Sequence, residues 1–259
     1  MRETIQNKLK EIEAKEHVSI LLAVESGSRA WGLASPDSDY DVRFLYVRPH
    51  ADYLRLERSR DVIELPIEGE LDVNGWDLDK ALRLLHSSNP TLFEWFSSPI
   101  VYRDSASAQA LRSLSARYFS PRRSLNHYLS MAMNNRRQYL KGDTVIAKKY
   151  FYILRPVLAC RWILDRGSPP PVLFSALQSA ELDPALHPEV NRLLDLKVNA
   201  PEVKTVSKVE SLNRYLEESI EELRTRVDRL PQETDPGWEE LNRFFLSQLE
   251  GWHQPFGAF

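Results

Sequence analysis

The sequence predicts an α+β protein in two parts, a small mixed sheet followed by an all-helical half, and three features carry that expectation. Short apolar stretches between residues 18 and 76 alternate with period two or run unbroken, as strands do. Helical spacing takes over from Leu78. Beyond Phe119 almost only helical spacing remains, which sets a boundary near residues 118–121 and two units, 1–118 and 119–259.

Taken in order, Ile5, Leu9 and Ile12 recur among Lys and Glu at the spacing of an amphipathic helix. Residues 18–24 form a nearly continuous apolar run ending in Glu25-Ser26-Gly27-Ser28, a buried strand feeding a tight turn. Residues 40–47 read as a second strand with Val42, Phe44 and Tyr46 on one face and Asp41, Arg43 and Leu45 on the other. Residues 61–65 and 71–76 are further strands about a turn at 66–69. Leu78, Leu82 and Leu85 stripe a helix that Asn89-Pro90 ends, and a short helix carrying Phe93 and Phe96 follows. The helical half is expected over residues 124–140, 145–164, 172–179, 187–198, 207–230 and 238–249.

Composition narrows the class. A chain of 259 residues with 42% hydrophobic content can bury one large core or two modest ones. The first 16 residues alternate charged and apolar types, unlike a signal peptide, and no stretch approaches the roughly 18 uninterrupted apolar residues of a membrane span, so a cytoplasmic protein without membrane contact is expected. Cys160 is the one cysteine, which excludes an internal disulfide and a cysteine-built zinc site; inside the apolar run 157–163 it reads as a buried small hydrophobe. His86, His127, His187 and His253 lack metal-ligand spacing, and the tryptophans read as core or lid residues.

The net charge of −3 does not suggest a nucleic-acid binder, but it hides a local asymmetry. Between residues 121 and 166 stand Arg122, Arg123, Arg136, Arg137, Lys141, Lys148, Lys149, Arg155, Arg161 and Arg166, opposed only by Asp143 and Asp165. Such a segment should attract a polyanion. The later acids Glu217, Glu218, Glu221 and Glu222 read as a solvated helix face.

The chemistry is concentrated in Gly27-Ser28-Arg29 and Ser38-Asp39-Tyr40-Asp41-Val42. Asp39 and Asp41, one residue apart at the start of a strand, project from one face. Adjacent carboxylates repel unless they share a proton or a cation, and hard divalent ions favour such oxygens, so Mg²⁺, with Mn²⁺ as a substitute, is the simplest resolution. At Gly27-Ser28 the backbone can approach an anion, and a following helix would aim N–H groups at a triphosphate. Arg29 either adds positive charge there or turns outward to an acid. Asp72, in an apolar strand setting that disfavours aspartate, supplies a third carboxylate. In a two-metal arrangement Asp39 and Asp41 hold both ions, and Asp72 joins the metal set while orienting and deprotonating an acceptor hydroxyl.

The order apolar strand, Gly27-Ser28, loop, Asp39-x-Asp41 and a later strand Asp72 resembles the DNA polymerase beta nucleotidyltransferase superfamily without a gap. The resemblance extends through residues 74–78, Ser88-Asn89-Pro90, Glu94-Trp95 and Ser98-Pro99 to residues 149–152 and 154–156, and there the chain is similar to a bacterial group of nucleotidyltransferases associated with RNA repair. The resemblance implies a small polymerase-beta-like catalytic domain followed by a helical nucleotide- and substrate-binding domain. It also implies transfer of a nucleoside monophosphate from a nucleoside triphosphate, ATP among them, to an acceptor hydroxyl, an RNA end first of all.

Lys148, Tyr152 and Arg155 stand at i, i+4 and i+7, so one helix face carries two cations and a ring. Pro156 removes the N–H bond to the Tyr152 carbonyl, and a kink there would shape a cleft between the halves. Because a helical domain commonly closes the nucleotide site in the resembling superfamily, Lys148, Lys149 and Arg155 are expected on phosphate and Tyr152 on a base. Two other functions fit the same residues: nucleotidylation (AMPylation) of a protein or small molecule, and a non-catalytic nucleotide-binding module, against which three intact carboxylates count. The sequence leaves the oligomeric state open.

Overall fold

The computed structural model describes residues 1–199 and 205–250. Its larger sheet has the order β3-β4-β2-β1-β5, formed by β1 (Ser19–Glu25), β2 (Tyr40–Val47), β3 (Val62–Glu64), β4 (Leu71–Asp77) and β5 (Val101–Asp104). Only β2 and β4 run parallel; the other pairs are antiparallel, so the sheet is mixed and the fold α+β, as the sequence predicts. The period-two pattern of β2 divides the core. Val42, Phe44 and Tyr46 join Val73 of β4 in packing against Ile5, Leu9 and Ile12 of α1 (Arg2–Glu16). Leu45 and Val47 face the opposite layer.

Between β1 and β2 stands the short helix α2 (Gly27–Ala30), and between β2 and β3 stands α3 (His50–Tyr53). The opposite layer is built by α4 (Leu78–His86), α5 (Pro90–Phe96) and α6 (Ala106–Ser115). Helix α4 buries Leu78, Ala81, Leu82 and Leu85, the expected stripe, and starts where Asp77 accepts the Asp79 N–H. Asn89 caps α5 in the same way with Pro90 in its first turn, which is why one dipeptide both ends a helix and begins another. Strand β5 and helix α6 lie outside the sequence expectation; a four-residue strand offers too few residues for a period to register.

The helical half comprises α7 (Pro121–Tyr139), α8 (Ala147–Arg166), α9 (Phe174–Glu181), α10 (His187–Asn199), α11 (Glu210–Asp228) and α12 (Glu239–Glu250). Helix α7 starts earlier than its apolar pattern because Ser120 caps it and Pro121 fills its first turn. The expectation of helices throughout this half needs a correction: β6 (Thr144–Ile146) pairs antiparallel with β7 (Thr205–Ser207), strands of three residues that no periodicity reveals. Helix α8 is central, burying Phe151, Leu154, Leu158 and Cys160, whose thiol burial pushes far up. The helix continues through Pro156, and the Tyr152 carbonyl that the proline leaves without its helical N–H accepts the Asn135 side-chain amide of α7 at 2.8 Å.

The two cores exchange residues. Leu33, on the loop after α2, is buried in the helical core, and the buried Lys197 ammonium donates to its carbonyl at 2.6 Å. In return Leu241 and Leu249 of α12 join Leu82 of α4 and Phe93 of α5 in the core against the sheet. Among the described residues no helix is long and apolar enough to cross a membrane.

Candidate active site

Strand β1 ends at Glu25 and the chain turns sharply through Gly27, whose φ is +58°. A Cβ there would lie 2.0 Å from Asp41 Oδ2, so both the backbone angle and the approach of the carboxylate require glycine. The Ser26 N–H donates to the Asp41 carbonyl at 2.9 Å, tying the turn to the first residues of β2. Ser28 lies half-buried on α2. Arg29 turns to the neighbouring loop and not to an acid: its Nε donates to the Asp39 carbonyl at 3.0 Å, its Nη2 to the Ser38 carbonyl at 2.7 Å, and its guanidinium lies 3.6 Å over the Tyr40 ring, while its charge still acts on Glu25. It braces the loop on which Asp39 stands. The Ser35 and Ser38 hydroxyls, both buried, close that loop from within.

The parallel pairing of β2 with β4 sets Asp41 opposite Asp72, on the same face of the sheet. Asp39 precedes β2 and is exposed. Between the two strand carboxylates lies Arg43, whose Nη2 donates to Asp41 Oδ1 at 2.9 Å and to Asp72 Oδ2 at 2.7 Å. Its Nη1 donates to the carbonyls of Val42 at 3.2 Å and Asp72 at 3.1 Å. Burial raises the Asp41 pKa above the usual carboxylate value; Arg43 opposes the rise, and the charges of Asp72 and Asp39 add to it. Among the described residues no three His, Cys, Asp or Glu side chains converge closely enough to hold an ion as they stand. The donors nevertheless suit a hard divalent cation: Asp41 and Asp72 already share one positive charge, and Asp39 adds a third carboxylate to the same field.

Two residues of this site carry no role in the sequence reading. Arg43 had a signal, since residue i+2 on a strand shares the face of Asp41. Glu25 is fully buried, and its carboxylate accepts the Asp41 N–H at 2.8 Å and the Tyr102 hydroxyl. Burial raises its pKa, against the pull of those two hydrogen bonds. A glutamate closing an apolar strand was its only mark.

From the helical half, Tyr152 meets Trp31, the residue after α2, edge to face at 6.1 Å, which brings α8 beside the Gly27 turn. Lys149 lies 4.0 Å from the Tyr139 ring and 4.7 Å from the Tyr152 ring, and Lys148 is half-buried one turn before Tyr152. Arg155 is placed differently from its neighbours. Only 3% of its side chain is exposed, its Nη1 is 3.0 Å from Glu94 Oε1, and its guanidinium lies 4.5 Å from the Trp31 ring. Tyr128 donates to the same Glu94 oxygen at 2.9 Å, so Arg155 joins α5, α7, α8 and the Trp31 loop.

The basic segment is also less available than its sequence suggests. Arg136 pairs with Glu217, Arg161 with Glu222 at 3.0 Å and Arg166 with Glu181, while Arg122 and Arg123 donate to the carbonyls of Leu230 and His86. The acids Glu217 and Glu222 are therefore direct partners of the segment, and its local field is smaller than the ten-to-two count implies.

This geometry defines a polymerase-beta-like nucleotidyltransferase: a Gly-Ser turn beside an Asp-x-Asp at the head of a strand, a parallel neighbour carrying the third carboxylate, and a helical half that meets the turn's next residue through Tyr152. The chain belongs to the RNA repair pathway DNA polymerase beta family, RlaP, which it matches over residues 1–247. It is similar to the uncharacterized Bacillus subtilis protein YcgL, with 44% identity over 252 residues that cover 96% of this chain and 97% of that one. Among solved structures it is similar to a nucleotidyltransferase-like protein from Exiguobacterium sibiricum, at 13% identity and a TM-score of 0.32, covering 99% of this chain and 82% of that one.

Proposed function

We propose that the protein transfers a nucleoside monophosphate from a nucleoside triphosphate to the terminal hydroxyl of an RNA, releasing pyrophosphate. The observation that carries the reading is the register pairing of Asp41 with Asp72 beside the Gly27 turn. Asp39, Asp41 and Asp72 would hold Mg²⁺ or Mn²⁺, which supplies charge neutralisation for the triphosphate and the leaving pyrophosphate. Gly27 and Ser28 let the backbone approach the phosphates, and Arg29 fixes the loop that presents Asp39. Asp72 orients the acceptor hydroxyl and takes its proton as the acceptor oxygen bonds to the α-phosphorus and the bond from that phosphorus to the bridging oxygen breaks. Lys148 and Lys149 face the phosphates and Tyr152 the base, while Arg155 serves this surface by holding Trp31 and Glu94 in place.

The family's description, an RNA repair pathway, supports RNA as the acceptor. The pairing of Arg136, Arg161 and Arg166 with acids favours a second reading, transfer to a protein or small-molecule hydroxyl, because it shrinks the polyanion footprint. Incubation with α-labelled triphosphates, Mg²⁺ and either structured RNA or cell proteins separates them. Label on RNA is the expected result; label on protein alone overturns the RNA acceptor.

A further inference from the structure

We infer that Arg43 is a built-in cation that competes with a divalent ion for Asp41 and Asp72 and, once displaced, binds phosphate oxygens, so that ion and triphosphate enter the site together. The inference rests on the nucleotidyltransferase reading above and adds to it a residue outside the three carboxylates. A single nitrogen, Nη2, lies 2.9 Å from Asp41 Oδ1 and 2.7 Å from Asp72 Oδ2. A Mg²⁺ ion ligated by the same two oxygens would sit about 2.1 Å from each. The two cations cannot occupy that space at once.

The competition is more than steric. Among the described residues the Arg43 guanidinium makes four hydrogen bonds, all to β2 and β4, two to carboxylates and two to main-chain carbonyls. Its side chain is 19% exposed, so leaving these partners strands a charged group at a half-buried surface. An ion arriving alone gains two carboxylates but leaves the guanidinium without them. An ion arriving with a triphosphate brings oxygens that suit the planar fork of an arginine. The binding of ion and nucleotide is therefore coupled, and the coupling acts equally in both directions.

The experiment measures Mn²⁺ affinity, with free Mn²⁺ buffered, for wild type, Arg43→Gln, Arg43→Lys and Asp41→Asn, each with and without a nonhydrolysable ATP analogue. Wild type should bind Mn²⁺ on the order of tenfold more tightly with the analogue present, within the usual range of coupling. Arg43→Gln should bind Mn²⁺ on the order of tenfold more tightly than wild type without nucleotide, and the analogue should then add little. Arg43→Lys keeps the charge but not the fork and should fall between; it carries the test if the glutamine protein does not fold. Coupling unchanged in both Arg43 variants, with Mn²⁺ binding still dependent on Asp41, overturns the role of Arg43 alone. Equal Mn²⁺ binding by wild type and Asp41→Asn overturns the metal site and this inference with it.

Discussion

The Glu25 carboxylate accepts the backbone N–H of Asp41 at 2.8 Å, so the strand that carries one aspartate of the site is held by a buried acid on its neighbour. The hydroxyl of Tyr102 holds the other oxygen of that acid. Glu25→Ala frees the Asp41 N–H and should lower kcat by about a hundredfold, the usual effect of an ångström-scale misplacement. Glu25→Gln keeps an acceptor and should retain most of the activity. Burial raises the Glu25 pKa above its unfolded value of 4.5, so its protonated form favours folding and that advantage is lost as pH rises through the folded value. Glu25→Gln should therefore be at least as stable as wild type at pH 7, measured by thermal or denaturant unfolding. A full-activity Glu25→Ala protein would remove the positioning role.

Asp77 offers a second test of a buried acid, away from the reacting groups. It caps α4 through the Asp79 N–H, accepts the Tyr53 hydroxyl at 2.8 Å and lies 3.6 Å from Arg48 Nε, yet burial pushes its pKa up to about 6. A carboxyl raised from 3.8 to about 6 contributes stability that is fully present below pH 4 and lost between about pH 4 and 6. Asp77→Asn keeps the cap without the charge, so its stability should be flatter across that window, with wild type losing roughly 1–3 kcal/mol relative to it. Asp77→Ala should be less stable than both at every pH, by about 1–2 kcal/mol for the cap alone. Parallel unfolding curves for wild type and Asp77→Asn from pH 4 to 7 would contradict this.

These two acids mark the limit of what the sequence discloses. That Asp41 and Asp72 stand on neighbouring strands was legible because strand period and spacing are local, and pairing β2 with β4 needs only two strands; Asp39 lies just before β2, where strand period does not reach. The Leu78, Leu82 and Leu85 stripe was legible for the same reason. Glu25 acts through Tyr102, 77 residues away, and Glu94 through Arg155, 61 away, and no local pattern encodes such contacts. Arg155 shows the converse. Its spacing from Lys148 and Tyr152 was read correctly as one turn after another, but the same helix face buries its last turn against Glu94 while its first remains half-exposed.

The carboxylates should separate by role. Asp39→Asn and Asp41→Asn should lose detectable transfer together with divalent-ion binding, whereas Asp72→Asn should lose transfer and still bind the ion when nucleotide is present, because Asp39, Asp41 and the phosphate oxygens remain as ligands. Asp72 stands on β4, beyond β2 from the Gly27 turn proposed to hold the phosphates, which is the position expected of a group that serves the acceptor. Single-turnover rates measured beside nucleotide affinity make the distinction. If Asp72→Asn weakens nucleotide binding as severely as Asp41→Asn, Asp72 belongs to the triphosphate instead.

The last prediction concerns the four arginines of α7. If Arg122, Arg123, Arg136 and Arg137 all lay on phosphate, neutralising them together would reduce the salt slope of RNA binding by about three, at roughly 0.7 per contact with a single strand. The structure lowers that expectation. Arg136 already pairs with Glu217, and Arg122 donates to the Leu230 carbonyl. Arg123 and Arg137 are exposed and donate to neutral groups, the His86 carbonyl and the Asn134 side chain, so their charges stay available. The slope should fall by about half as much, roughly 1.4, and thermal stability should fall as well because Arg122 and Arg123 brace the chain at Leu230 and His86. Nucleotide affinity should hardly change in that variant, whereas Lys149→Ala, which removes a cation seated between the Tyr139 and Tyr152 rings, should weaken it. Salt titrations with a triphosphate and with structured RNA, on wild type and both variants, read every term. A fall near three would place RNA along the whole of α7, and an unchanged RNA slope would shift the acceptor from RNA to a protein or small-molecule hydroxyl.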